Sequence, residues 1–486
     1  MRYLILFPIL FPMLGALLMT CKFTDNRKAR NALTLAAATI NSLAVFWLLA
    51  RGGDGALTVA QINRQLSISF AVDGLSRVFG MIVAVLWPLT ALYAFDYMKH
   101  EGHERRFFAF FLVSYGVVCG VNFAANLATM YLFFELLTLA TLPLVMHKMD
   151  GAARYAGKRY LIFSMTGAAF GFLSIVFVAN YGAGSLFTLG GVLDGALTAG
   201  HELSLRVAYV LAFFGFGVKA ALFPMYQWLP AASVAPTPVT ALLHAVAVVK
   251  AGVFACIRLT YYSFGTELLA GTYAQYIPMC AACITIVWGS WLALRSNHLK
   301  RRLAYSTVSN LSYILLGVTA MSGAGLVGAA EHMIFHAFIK ITLFFCVGAV
   351  MEKARFEYVD QIEGVGKRMP VTFLCFTVAS LALMGIPPLP GFFSKWDIAT
   401  ASLGLGNVFG LLGLAALLIS AVLTVLYQIG TITAACLPVS RPGDPAPPTG
   451  KLETVGMTVP IAIITVCIVV LGALYAPIHN WLTAIL

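Results

Sequence analysis

Residues 215–244 read GFGVKAALFPMYQWLPAASVAPTPVTALLH, an apolar run that carries a lysine and is then cut by four prolines. Apolar residues flank it for long enough on both sides to cross a bilayer. In lipid, backbone amides and carbonyls cannot be left unpaired, so a break at Pro224, Pro230, Pro236 and Pro238 survives only where protein or a hydrated cavity covers it. Lys219 stands just ahead of the break. A charge near the bilayer centre costs about 2.5–3.5 kcal/mol on insertion scales. The stretch therefore predicts a broken membrane helix inside a bundle, built around a lysine that is there for use.

Working outward, the same signals recur. The chain has 486 residues, 60% hydrophobic and 10% charged, with a mean hydropathy of +0.89; an ordinary soluble domain is about 25% charged. Apolar runs of membrane-crossing length follow one another from end to end. The polar stretches at 51–72 and 438–453 are too short to hold a core. The first run (3–20) lacks a small-residue cleavage site and reads as a retained helix. The fold class is thus an all-α polytopic membrane protein with about fourteen transmembrane helices. They are expected near 3–20, 32–50, 76–96, 107–124, 126–146, 160–179, 206–223 (brokenly to 234), 238–262, 276–295, 303–321, 329–352, 370–402, 408–435 and 454–475.

A second break lies at Gly385-Ile386-Pro387-Pro388-Leu389-Pro390-Gly391, in span twelve. Spans seven and twelve are an odd number apart, so their parent helices run oppositely. That is the pattern of two inverted repeats of five helices, each with a broken helix. The expected division is 1–106 for helices 1–3, 107–262 for the first repeat, 276–437 for the second, and 454–476 for helix 14.

The net charge of +12 is spread unevenly. Every second loop is basic: Lys22, Arg27, Lys28 and Arg30 share the first, Lys99, Arg105 and Arg106 the third, and Lys148, Arg154, Lys158 and Arg159 the fifth. Arg295, Lys300, Arg301 and Arg302 continue the pattern, then Lys353, Arg355, Lys367 and Arg368, then Arg441 and Lys451. By the positive-inside rule these loops face the cytoplasm of a prokaryotic plasma membrane and both termini face out. The basic excess explains topology and gives no reason to expect nucleic acid as a partner. Nine cysteines are scattered. The Cys280–Cys283 pair lies in a membrane helix without a second pair, so they read as small core residues. No haem, iron–sulfur or flavin signature is present, so no cofactor is expected.

The buried ionisable residues are the candidate site. Glu135, in span five, is read as the partner of Lys219, which would hold that lysine poised between keeping and releasing a proton. At 1.5 Å per residue Lys219 lies about 20 Å from the outer face and Lys250 about 18 Å from the inner one. His244 shares a span with Lys250; a histidine bonded to a helix backbone is its plainer reading. His332, His336 and Lys340 follow at i, i+4, i+8 and rise on one face over about 12 Å. A zinc site there lacks a third ligand, and no metal is expected. Glu331, about 100° off that face, reads as solvated. Lys395 follows the second break and reads as the terminal proton site; Asp397, two residues on, faces another way.

At these residues the chain resembles the antiporter-like subunits shared by respiratory complex I, membrane-bound hydrogenases and Mrp-type cation/proton antiporters. The motifs are Phe134-Glu135-Leu136, Val218-Lys219 with Pro224 and Trp228-Leu229-Pro230, the run from Ala235 to His244, Leu303-Ala304-Tyr305-Ser306-Thr307-Val308-Ser309-Asn310, His336-Ala337-Phe338-Ile339-Lys340 and Gly391-Phe392-Phe393-Ser394-Lys395. The resemblance implies an ion pair between Glu135 and Lys219 and a polar axis running through spans eight, eleven and twelve. It implies a subunit without a catalytic centre of its own, moving protons within a multisubunit, redox-driven complex of the complex I or hydrogenase kind. The alternative it leaves is a subunit of an Mrp-type Na+/H+ antiporter. Expected partners are other membrane subunits, the lipid bilayer, and protons or sodium ions. A self-sufficient transporter of an organic solute would need hydroxyls and amides around these residues to shape a pocket. A purely structural scaffold would need the axis to be dry.

Overall fold

The computed structural model describes residues 2–52, 55–63, 66–437 and 450–486; Arg441 of the charge pattern lies outside them. Helices dominate. In chain order they are α1 (Phe7–Leu18), α2 (Arg27–Arg51), α3 (Gly74–Tyr97), α4 (Glu104–Phe123), α5 (Leu127–Val145), α6 (Gly151–Tyr181), α7 (Glu202–Gly217), α8 (Thr237–Ala245) and α9 (Val248–Ile257). They continue as α10 (Tyr273–Arg295), α11 (Leu299–Thr319), α12 (Gly323–Lys353), α13 (Pro370–Met384), α14 (Pro390–Leu403), α15 (Val408–Cys436), α16 (Val455–Ala473) and α17 (Tyr475–Ile485), joined by short helical turns. Ten helices among the described residues are long and apolar enough to cross a membrane.

The starts of these helices are written in the sequence. Asn126, Asp150, Ser322 and Asn407 each accept a hydrogen bond from a backbone N–H in the first turn of α5, α6, α12 and α15, satisfying a donor the helix cannot. Asp73 does the same for α3 and also clamps Arg258, with two bonds of 2.5 and 2.8 Å. Burial raises the Asp73 carboxyl, but the charge and hydrogen bonds of Arg258 outweigh it and hold the group below the usual carboxylate range.

Burial sorts the bundle into a centre and a rim. The apolar windows of α12 and of the 237–264 segment are wholly buried, whereas only a third of the α15 window is. Leu411, Leu418, Val422 and Leu426 of α15 are exposed, as a surface facing lipid tails requires. The two innermost segments therefore carry His244, Lys250, His332, His336 and Lys340.

Three differences from the expectations have physical causes, and one expectation is met. The polar 51–72 stretch is not merely a loop: Leu57–Gln61 and Ser67–Phe70 pair as an antiparallel hairpin, so the fold is helical with one small sheet. In span seven the helix stops at Gly217, ahead of Lys219 and well ahead of Pro224. Ala221 sits at φ +56°, so the chain turns before the first proline. Span eight is cut in two: α8 ends at Ala245 and α9 begins at Val248, with Ala247 N–H donating to the Leu242 carbonyl at 2.8 Å. No proline or glycine marks that third break. Span twelve does break where its prolines and Gly385, at φ +90°, put the break.

Candidate functional site

Lys219, past the end of α7, is 1% exposed. Its ammonium stands 3.6 Å from Glu135 Oε1 on α5 and 3.6 Å above the Phe134 ring, and it donates to the Phe134 carbonyl. Neither Glu135 oxygen has a hydrogen-bond partner, so the pair is an ionic contact with one free side. The unwound chain around Lys219 packs against α9 at Gly252, where an added Cβ would lie 2.5 Å from Ala220 N and 2.7 Å from Lys219 C. Only hydrogen fits there.

Lys250, on α9, is completely buried and stands 2.7 Å from His336 Nδ1 on α12. One turn back on α12, the His332 ring stacks 5.8 Å from that of His336. His332 Nδ1 in turn reaches Ser394 Oγ at 2.9 Å, the residue beside Lys395. These bonds and contacts join Lys250, His336, His332 and Ser394 into one connected series.

Lys340 takes another direction. It donates to Ser306 Oγ on α11 and, at 3.3 Å, to the Leu303 carbonyl. Lys395, only partly buried, donates to the Leu383 and Met384 carbonyls at 2.5 and 3.1 Å. Those carbonyls lie in the last turn of α13, where the break leaves them without helical partners. Its ammonium also lies 5.4 Å from the Tyr313 ring centroid. His244 is wholly buried beside Phe344, 4.8 Å between ring centroids, with no hydrogen-bond partner of good geometry on either nitrogen.

One expectation is corrected. Glu331 is not solvated but fully buried, because α17 folds back over the end of α12 and His479 Nδ1 lies 2.9 Å from Glu331 Oε1. Asp397 faces away from Lys395 and accepts a hydrogen bond from Tyr475 at 2.8 Å. Sequence reasoning also missed Lys300. Taken as a loop charge, it is 4% exposed and donates to the Ala235 carbonyl at 3.1 Å. Ser306, Tyr313 and Ser394 were missed too. Of these, Ser306 and Ser394 lie within the motifs that carry the family resemblance; Tyr313 had no signal beyond helical spacing.

Residues 124–424 match the family described as "NADH:quinone oxidoreductase/Mrp antiporter, TM", more than half of the chain. The chain belongs to this family. Residues 60–108 of this family member also match "NADH-Ubiquinone oxidoreductase (complex I), chain 5 N-terminus". It is 31% identical to "NADH-quinone oxidoreductase subunit N" of Desulforudis audaxviator (strain MP104C), over 96% of this chain and 94% of that protein. It is 32% identical to the A/B subunit of a probable K(+)/H(+) antiporter of Rhizobium meliloti (strain 1021), over 80% of this chain but only 38% of that protein. With "NAD(P)H-quinone oxidoreductase chain 5" of Synechocystis sp. (strain ATCC 27184 / PCC 6803 / Kazusa) the identity is 33%, over 69% and 50%. The chain thus spans nearly the whole of the first relative and half or less of the other two. The fold is shared with chains of known structure. One belongs to an archaeal membrane-bound sulfane sulfur reductase (TM-score 0.85, 22% identity, 98% of this chain and 96% of that one). Another belongs to the Mrp complex of Dietzia sp. DQ12-45-1b (TM-score 0.85, 20% identity, 99% and 96%).

Proposed function

We propose that this family member is a proton-translocating, antiporter-like subunit of a multisubunit, redox-driven membrane complex. Its path would run at mid-depth from Lys219 through Lys250 and His336 toward Lys395. The observation that carries the reading is the 2.7 Å contact between Lys250 Nζ and His336 Nδ1, wholly buried. Two basic groups at that distance, with no acid between them, cannot comfortably both be charged. They can hold at most one added proton between them and pass it either way.

In this reading the protein has fourteen membrane spans in two inverted repeats, 107–262 and 276–437, with helices 1–3 before them and helix 14 after. Both termini face outward, and protons enter from the cytoplasm. The cleft lined by Arg159, Tyr226, Gln227, Arg301 and Tyr305 suits that access, since it opens among the basic cytoplasmic loops and borders the break after Lys219. Glu135, partly open to its surroundings, is the switch: a change beside it strengthens or weakens its hold on Lys219. Moving one charge against 100 mV requires about 2.3 kcal/mol. The sequence carries no haem, iron–sulfur or flavin signature, so in this reading the energy comes from partner subunits. Nearly full-length similarity to a quinone oxidoreductase subunit supports redox coupling. Similarity to antiporter subunits supports an Mrp-type complex, in which sodium moves in exchange.

The test is proton translocation by the assembled complex in sealed vesicles. Glu135→Gln or Lys219→Ala should abolish pumping while the subunit still co-purifies with its partners. Undiminished pumping in both removes the axis. Sodium dependence of the residual flux separates the antiporter reading.

A further inference from the structure

Glu331, Asp397 and His479 gather where α12, α14 and α17 meet, with one ligand atom from each within 4.8 Å of the others. His479 Nδ1 lies 2.9 Å from Glu331 Oε1 and 3.9 Å from Asp397 Oδ2. Glu331 is 0% exposed, yet its Oε2 has no hydrogen-bond partner. Among the described residues no lysine or arginine lies within ion-pairing distance of either carboxylate; the one cationic candidate is His479 itself. Lys395, two residues from Asp397, is turned onto the end of α13 instead.

Two carboxylates this close, one of them sealed from water, cannot both stay charged unless a cation sits with them; otherwise they share a proton. We infer that Glu331, Asp397 and His479 form a binding site for one divalent transition-metal ion of the zinc type, at the end of the bundle beyond Lys395. Imidazole and carboxylate are the ligands zinc takes, at 2.0–2.2 Å, so that ligand atoms around one ion stand about 3.0–3.6 Å apart. The observed 2.9 and 3.9 Å bracket that spacing, and the remaining separation, no more than 4.8 Å, has to close onto it. The Tyr475 hydroxyl donates to that same Asp397 Oδ2 at 2.8 Å and lies 3.5 Å from His479 Nδ1, so it stands at the edge of the cluster and holds the carboxylate next to the imidazole. His479 is partly exposed, with 38% of its side chain open, so the ion has a way in and the fourth position is left for water. The site needs nothing from the proposed proton path. Its placement on that path does rest on the proposed function: an ion there replaces the proton the cluster would otherwise take, and stops release.

The experiment uses the full chain purified without a histidine tag, in lipid nanodiscs, with Zn2+ alone as the probe and a competing chelator to measure affinity. One zinc per chain is expected, weakened in both Glu331→Gln and His479→Ala by more than the roughly 10- to 100-fold that loss of an outer partner causes. Glu331→Gln preserves shape and His479 is partly exposed, so at least one variant stays folded, which a thermal melt verifies. Absence of stoichiometric binding, or binding that both variants leave unchanged, overturns the site. Transport is scored separately on the assembled complex. Zinc on the outer side should slow proton release in the wild type and lose its effect in His479→Ala; zinc that binds but leaves transport untouched overturns the placement on the path. Pumping that survives Glu135→Gln and Lys219→Ala while zinc still binds defeats the proton path and leaves the metal site standing.

Discussion

Lys250 Nζ on α9 and His336 Nδ1 on α12 are 2.7 Å apart although 86 residues separate them in sequence. Both are buried to 1% exposure or less. A hydrogen bond this short between two bases needs an acceptor nitrogen, so at least one of the two is neutral. The contact therefore limits this pair to one added proton at a time.

Removing either member should interrupt transfer. Lys250→Met and His336→Ala are each expected to slow proton translocation by about 10²-fold, the scale of a lost, positioned proton-transfer group. Co-purification with partner subunits should be retained best in Lys250→Met, which nearly keeps the side-chain volume, and less well in His336→Ala, which opens a cavity. Pumping assays in sealed vesicles decide it; near wild-type rates in both variants would remove this contact from the path.

Beyond His336 the chain offers two directions, and they can be told apart. His332 continues toward Ser394 and Lys395, whereas Lys340 turns to Ser306 and the Leu303 carbonyl. His332→Ala should cut translocation about as deeply as His336→Ala. Ser394→Ala should cost less, since a bridging water replaces a hydroxyl at little enthalpic loss. The same vesicle assay, run on the two histidine variants side by side, checks this; a His332→Ala variant as active as wild type would leave Lys340 as the outward route.

How much of this was visible in the sequence depends on what marks a residue. The breaks in spans seven and twelve carry prolines, whose missing N–H and fixed φ leave a local signature. The lysines were legible because charge in an apolar run is costly and therefore conspicuous. The break between His244 and Lys250 was not, since Val246 and Ala247 are ordinary helix residues bent by their surroundings. Glu331 was misread because its environment is supplied by α17, some 150 residues later in the chain. Helical periodicity places a side chain on a face; it does not say what folds over that face. For the same reason Lys300 passed as a loop charge, although the Ala235 carbonyl draws it inside.

The Asp73–Arg258 clamp lends itself to a stability measurement. Arg258 has 1% of its side chain exposed and Asp73 35%, so Asp73→Asn leaves a buried guanidinium without its charge partner. The expected cost lies below the ~3–5 kcal/mol of breaking a fully buried pair, because water reaches the carboxylate side. Asp73 is held below the ordinary carboxylate range in the folded protein, against about 3.9 when unfolded. Its contribution is therefore complete above about pH 5 and fades as the pH falls through the lowered folded value. Thermal melts in detergent should show a constant gap between wild type and Asp73→Asn from about pH 8 to 5 that narrows below about pH 4. A gap that grows on acidification would mean that the carboxylate is not what stabilises this end of α3.

Gly252 gives a prediction of a different kind, because it can carry no proton. Its Cα faces the unwound chain after α7, and an added Cβ would sit 2.5 Å from Ala220 N and 2.7 Å from Lys219 C. These are backbone atoms, which cannot swing aside as a side-chain tip does. Gly252→Ala must then push the Lys219 segment away from α9, by something near the ångström that separates those distances from ordinary contact. The ion pair with Glu135, already at 3.6 Å, changes with it. A misplacement of about 1 Å can cost about 10²-fold in a geometrically demanding step. Gly252→Ala is therefore expected to lower pumping by a similar factor, while Gly184→Ala, where an added Cβ meets nothing, leaves it unchanged. Equal pumping in the two alanine variants would show that close packing of α9 on the break does not set the geometry of Lys219.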